Sequence, residues 1–412
     1  MRIKSIDEFN YDGKAVLLRV DINSPINPAT KKIVNENRIK KSIPTIQKIL
    51  GKNAKLAIIA HQGDTLDYQN LISLEEHAEK LTDYLGREVK YIDDVCGPAA
   101  QQAVKQLQIG EVILLGNLRY LTEEISTFES AVKLKAEEML NTYLVRTLAP
   151  LFDFYVNDAF AAAHRNAPSM VAFQELLPAA AGELMVQEVS ALDNVMKHPK
   201  KPCVFVLGGA KISDAFGMMK QVLENETADK IITSGITGEI MLWAQGIKLG
   251  NTKEKFIKDR GLDVFVKDAQ EYLNDYPDKI QFPEDLAYAK NGERKEVDVN
   301  HLPLEEMFMD IGEKTIQKYR TIIQEANTIF VNGPPGVYEE KLFENGTKAI
   351  WEAISEAEGY SVIGGGDTVS ASQKFINIKN IDYVCTAGGA MVRYLSGKRL
   401  PLIEAMEKAA HK

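Results

Sequence analysis

Cysteine is scarce in this sequence, and the little there is lies scattered: Cys96, Cys203 and Cys385 among 412 residues. Three thiols so far apart make neither a disulfide framework nor a zinc-ligand cluster. Net positive charge is lacking as well. Lys and Arg total 49 against 58 Asp and Glu, a formal charge of −9, which argues against wholesale nucleic-acid binding. No apolar run approaches the ~20 residues of a membrane span, and the opening stretch from Met1 to Glu8 has no secretory h-region. The expectation is a cytoplasmic protein without membrane or nucleic-acid partners. Common nucleotide signatures are missing too. There is no G-x-x-x-x-G-K-[ST], no G-x-G-x-x-G opening the first βα unit, and no protein-kinase motif set.

What is present is an alternation of short apolar runs with helix-like segments. Residues 15–20, 55–60, 112–115, 152–156, 204–207, 230–233, 328–331, 361–363 and 383–385 are rich in Val, Ile and Leu and apolar on both faces. Buried parallel strands read this way, and the alternation predicts an α/β fold with mostly parallel sheets. The length suggests two domains. Residues 126–148 are the longest helical stretch, with Ser126 as cap, Glu129 at the capping-box position and Pro150 as terminator. Pro178-Ala179-Ala180-Ala181-Gly182 breaks the pattern and marks a boundary near 180. An amphipathic helix follows over 183–197, with Leu184, Val186, Val189, Leu192 and Val195 as its apolar positions. It reads equally as a connector between domains or as a surface helix.

Three glycine-rich turns carry the most information. They are Asn332-Gly333-Pro334-Pro335-Gly336, Gly364-Gly365-Gly366-Asp367-Thr368 and Thr386-Ala387-Gly388-Gly389-Ala390, each directly after a strand-like run. Gly208-Gly209-Ala210-Lys211 makes a fourth. Glycine lets backbone N–H groups approach an anion closely, and a helix N-terminus adds partial positive charge. Repetition of the device points to a polyphosphate site. A lone carboxylate beside it, Asp367, suits Mg²⁺, which takes few protein ligands. The first half is basic at its strand ends instead, with Arg19, Arg119, Arg165, His61 and His164 beside Asp21 and Asn23, and Arg38 further on. Arginine's planar fork suits carboxylate or phosphate. One half therefore reads as a small-anion site and the other as a magnesium-nucleotide site, and phosphoryl transfer joins them.

Each feature has a plainer reading. Arg38 stands in a charged run and by spacing alone is helix surface. His61 and His164 could be core histidines, Asp367 an N-cap, and Gly208-Gly209 a simple strand-to-helix turn. Glu123-Glu124 and Glu305-Glu306 read as solvated faces.

Taken in order, the motifs resemble phosphoglycerate kinase. Arg19-Val20-Asp21-Ile22-Asn23, Asn157-Asp158-Ala159-Phe160 through His164-Arg165, Gly208-Gly209-Ala210-Lys211, Asn332-Gly333-Pro334-Pro335-Gly336-Val337-Tyr338-Glu339 and Gly364-Gly365-Gly366-Asp367-Thr368 are similar to that family's signatures. Ala60-His61-Gln62 is most similar to the archaeal branch. The resemblance implies two Rossmann-like lobes with a cleft between them. They would be a phosphoglycerate-binding domain (1–180) and a nucleotide-binding domain (199–389), joined by an interdomain helix (181–198). A segment over 390–412 would return to the first domain. It implies reversible transfer between 1,3-bisphosphoglycerate with MgADP and 3-phosphoglycerate with MgATP, as in glycolysis and gluconeogenesis. Asp21, Asn23, Arg38, His61, Arg119, His164 and Arg165 would hold the acid. Arg38 and Lys211 would stabilise the transferring group, and Asp367 would hold Mg²⁺. Gly209, Lys211, Asn332, Glu339, Gly365, Gly366, Thr368 and Gly388 would hold ATP or ADP. A monomer or homodimer is expected.

The departures concern charge. The family's Gly-Arg-Pro is Gly63-Asp64-Thr65 here, its second lysine in the Gly-Gly-Ala-Lys segment is Ala215, and its last triple glycine is interrupted by Ala387. Asp64 would repel a phosphate unless it points away or pairs with Arg38 or a lysine. These changes keep open a related carboxylate kinase with another acid, or a non-catalytic nucleotide-binding paralogue.

Overall fold

A computed structural model describes residues 2–412. The chain forms two compact units. One runs to Val189 and is rejoined by Arg399–Lys412; the other is Ser190–Lys398. The division falls within the helix Glu183–Met196. Among the described residues no helix is long and apolar enough to cross a membrane.

The first unit is built on six strands: β1 (Ala15–Arg19), β2 (Lys55–Ile59), β3 (Val89–Tyr91), β4 (Val112–Leu114), β5 (Phe154–Asn157) and β6 (Ala179–Ala181). All pair in parallel, in the order β3-β4-β2-β1-β5-β6. Val16, Leu17 and Leu18 of β1 are fully buried, because helices cover both faces of the sheet. The helix Asn37–Leu50 contributes Ile39, Ile46 and Ile49 to this core. Successive strands lie on one side of β1 until β5 returns on the other. A switch of this kind opens a crevice at the carboxyl ends of β1 and β5.

The second unit repeats the plan with β7 (Cys203–Leu207), β8 (Lys230–Thr233), β9 (Ile280–Gln281), a separate antiparallel sheet of β10 (Asp285–Lys290), β11 (Glu293–Asp298) and β12 (Phe308–Ile311), then β13 (Thr328–Asn332), β14 (Tyr360–Ile363) and β15 (Tyr383–Val384). Its parallel sheet runs β15-β14-β13-β7-β8-β9, so the switch lies between β7 and β13.

Two local expectations fail. Residues 126–148 are three short helices, Ser126–Val132, Ala136–Met139 and Tyr143–Leu148, rather than one. Lys133 turns left-handed (φ 53°) and ends the first. Ser126 donates its hydroxyl to Asp64, and Glu129 accepts the Asn166 N–H, so neither residue caps the helix. The stretch 178–182 does not interrupt the sheet either. Ala179–Ala181 extends it as β6, its small side chains packing near the helix Pro401–Ala410.

Candidate functional site

In the first unit the side chains at the β1/β5 switch form one basic cluster. Arg19 ends β1, buried, its Nη1 donating to the Val20 carbonyl and its Nη2 lying 2.9 Å from His61 Nδ1. A guanidinium can only donate, so Nδ1 accepts and the His61 proton sits on Nε2. Burial holds the imidazole well below its ordinary pKa, and the charges of Arg19, Arg119, Arg38 and Arg165 push it further the same way. Four guanidinium groups therefore act on one neutral histidine. Arg38, expected on spacing alone to face solvent, donates to both Asp21 oxygens at 3.0 Å from the first turn of its helix. Asn23 accepts the Gly63 N–H at 3.0 Å. Arg165 Nη1 lies 3.4 Å from Glu129, and His164 is half-buried beside it in the chain.

Two buried polar residues brace the crevice instead of facing it. Asn117 is buried, donates to the Gln62 and Ile72 carbonyls and accepts the Gln62 and Arg119 N–H groups. Asp158 accepts the Met185 N–H at 3.0 Å and so fixes the start of the helix Glu183–Met196.

Charge signs gave no forewarning of two carboxylates. Glu124, expected on a solvated face, is buried and accepts both the N–H and the hydroxyl of Ser169 at 2.7 Å; burial raises its pKa. Asp64 pairs neither with Arg38 nor with a lysine. It lies 3.5 Å from Arg119 Nε.

In the second unit the turns after β7 and β13 meet backbone to backbone. A Cβ on Gly333 (φ +90°) would lie 2.1 Å from the Gly208 carbonyl oxygen, and one on Gly208 would lie 2.7 Å from the Pro334 oxygen. Only glycine fits both positions. Asn332 Nδ2 donates to the Gly364 carbonyl at 2.9 Å, and Thr368 Oγ1 accepts the Gly333 N–H at 2.8 Å, which ties the β14 turn to the β13 turn. Gly365 (φ +95°) precedes the helix Gly366–Phe375, and a Cβ on Gly388, the first residue of the helix Gly388–Leu395, would come within 3.4 Å of Gly365. The N-termini of these two helices thus gather at the carboxyl ends of the strands, where free N–H groups suit anions. Lys211 and Asp367 stand there largely exposed, 3.8 Å apart.

A cavity of about 370 Å³ opens on these turns, with Gly209, Gly336, Glu339 and Asp367 in its wall and Ile236, Leu286 and Val337 among its apolar lining. That size and apolarity suit a nucleoside. Among the described residues no cluster of three or more His, Cys, Asp or Glu could hold a metal by itself. One exposed carboxylate at a phosphate-suited edge fits Mg²⁺, which fills its shell with phosphate oxygens and water.

Comparison with known proteins agrees with this geometry. The family described as phosphoglycerate kinase matches residues 6–398. The phosphoglycerate kinase of Methanothermobacter thermautotrophicus is 40% identical over 410 residues, 100% of this chain and 98% of the relative. That of Methanococcus maripaludis is 41% identical over 411 residues, covering 99% of each. The crystal structure of phosphoglycerate kinase from Pyrococcus horikoshii OT3 superposes with a TM-score of 0.85 at 37% identity, covering 100% of both chains. The chain belongs to the phosphoglycerate kinase family, kinases that transfer a phosphoryl group to a carboxylate acceptor.

Proposed function

We propose that the unit ending at Val189 takes the phosphoglycerate and the unit Ser190–Lys398 takes the magnesium nucleotide. The observation that carries the acid site is the convergence of Arg19, Arg38, Arg119 and Arg165 on a neutral His61. Around it, Asp21, Asn23 and His164 complete a surface for a phosphorylated carboxylic acid. Arg38, the most exposed of the arginines in the cluster that have an ion-pair partner, would meet the acyl-phosphate end. In the cavity, Ile236, Leu286 and Val337 would enclose the base, and Glu339 would meet the ribose hydroxyls. The turn at Gly209 and the helix N-termini at Gly365, Gly366 and Gly388 would face the phosphates, with Asn332 and Thr368 keeping their turns in register.

In the forward direction the bond between the acyl oxygen and phosphorus of 1,3-bisphosphoglycerate breaks as a β-phosphate oxygen of ADP bonds to that phosphorus, leaving the carboxylate of 3-phosphoglycerate and ATP. Charge spreads over the equatorial oxygens, where Lys211 and Arg38 stabilise it. No covalent enzyme intermediate is needed. Asp367 would hold Mg²⁺, which when bound neutralises phosphate charge. The carboxylate's 3.8 Å pairing with Lys211 keeps both groups at the same edge.

A coupled assay with MgATP and 3-phosphoglycerate tests the reading. Turnover in the usual range of about 1–10³ s⁻¹ is expected, with Asp367→Ala lowering kcat by at least about a hundredfold. Absence of turnover in the unaltered protein would overturn it.

A further inference from the structure

Three arginines of the basic cluster each face a carboxylate: Arg38 faces Asp21, Arg165 faces Glu129, and Arg119 faces Asp64. The third pair is unlike the others. The Arg119 side chain is only 6% exposed and that of Asp64 13%, so the two meet in a setting where charge is weakly screened. Their contact runs through Nε at 3.5 Å and is electrostatic rather than a hydrogen bond. The Asp64 carboxylate has its own anchors. Ser126 donates to Oδ2 at 2.6 Å and Thr65 to Oδ1 at 3.1 Å. It can therefore remain ionised and in place when Arg119 changes partner.

We propose that Asp64 is a built-in counter-anion for Arg119, which an incoming phosphorylated acid must outcompete, and that it sets the affinity of this site for its acid. This rests on the basic cluster of the first unit being the acid site. In the empty site the buried guanidinium is neutralised by Asp64. In the filled site the substrate's phosphate takes that role, and Asp64 stays with its two hydroxyls. The enzyme thus binds 3-phosphoglycerate more weakly, and releases it faster, than the same cluster would without the aspartate. Asp64 is a positioning residue that acts through Arg119.

Asp64→Asn keeps an acceptor for Ser126 and removes the charge. It is expected to lower the KM for 3-phosphoglycerate by about five- to twentyfold, and to strengthen binding of inorganic sulfate, used as an anion probe in titration calorimetry, to a similar degree. The KM for ATP should not move. In an Arg119→Gln background the same change should have much less effect, which a merely structural role of Asp64 would not produce. Asp64→Ser serves as a second variant should the asparagine protein fold poorly, with thermal melting as the check. An unchanged or raised KM for the acid in a folded variant, or an equal effect with and without Arg119, overturns the proposal. Absence of turnover in the unaltered protein would overturn the functional reading instead, so the two failures are separate.

Discussion

Burial pushes the Asp158 carboxyl up to about 7, even though the Thr45 hydroxyl and the Met185 N–H both favour its charged form. A raised folded-state value means the folded protein holds a proton that the unfolded chain, near 4, has already released. The associated stability is fully present below about pH 4 and is lost as pH rises through 7. Asp158→Asn should flatten this dependence while keeping an acceptor for the Met185 N–H. Between pH 5 and 7 the unaltered protein should lose on the order of 2 kcal/mol relative to the variant, measured by urea denaturation at each pH. At this scale the sequence names residues but not their tasks. Asp158 stands in a signature motif and turns out to brace backbone. Glu124 reads as solvent-facing and is buried. Whether a carboxylate faces substrate, a backbone amide or an arginine depends on what other segments bring to it, and no local spacing encodes that.

The turns after β7 and β13 are where the second unit tolerates change least. Gly333→Ala would add a Cβ at a left-handed position and 2.1 Å from a backbone oxygen that has no room to yield. Displacing that oxygen shifts Gly208 and the start of the helix Ile212–Glu224. ATP affinity should fall by at least about tenfold, and the protein should lose about 2 kcal/mol or more of stability, read by calorimetry and by ATP protection against thermal unfolding. Most of the parallel strands were legible because burial on both faces makes them continuous apolar runs, and β3, β6 and β9 were not. The antiparallel sheet of β10, β11 and β12 was not. Its hairpin turns at Asn291-Gly292, both with positive φ, which is the strongest short hairpin signal a sequence can carry. Glu293, Arg294, Lys295 and Glu296 conceal β11, because an exposed edge strand is charged rather than apolar.

The last residues belong to the first unit. The helix Pro401–Ala410 buries Leu402, Ile403 and Met406, packs against Pro168–Val171, Phe173–Leu176 and β6, and sets Lys408 and Lys412 on Glu175 at 2.8 and 2.7 Å. Three large apolar side chains contribute about 5–9 kcal/mol as an upper figure, comparable with the whole stability of a domain. A chain stopped after Lys398 should therefore lose cooperative unfolding of the first unit and become protease-sensitive there, while still binding ATP. Limited proteolysis with and without ATP checks this. The sequence by itself determined the α/β class, the strand ends that carry polar residues and the glycine turns, because each follows from local periodicity or from backbone freedom. The tertiary structure alone decided which charges meet. Arg119 with Asp64 and Gly208 against Gly333 are neighbours only because strands far apart in sequence lie side by side in a sheet, β2 beside β4 and β7 beside β13. Pairing of that kind is set by the order of strands, and strand order is a property of the folded chain.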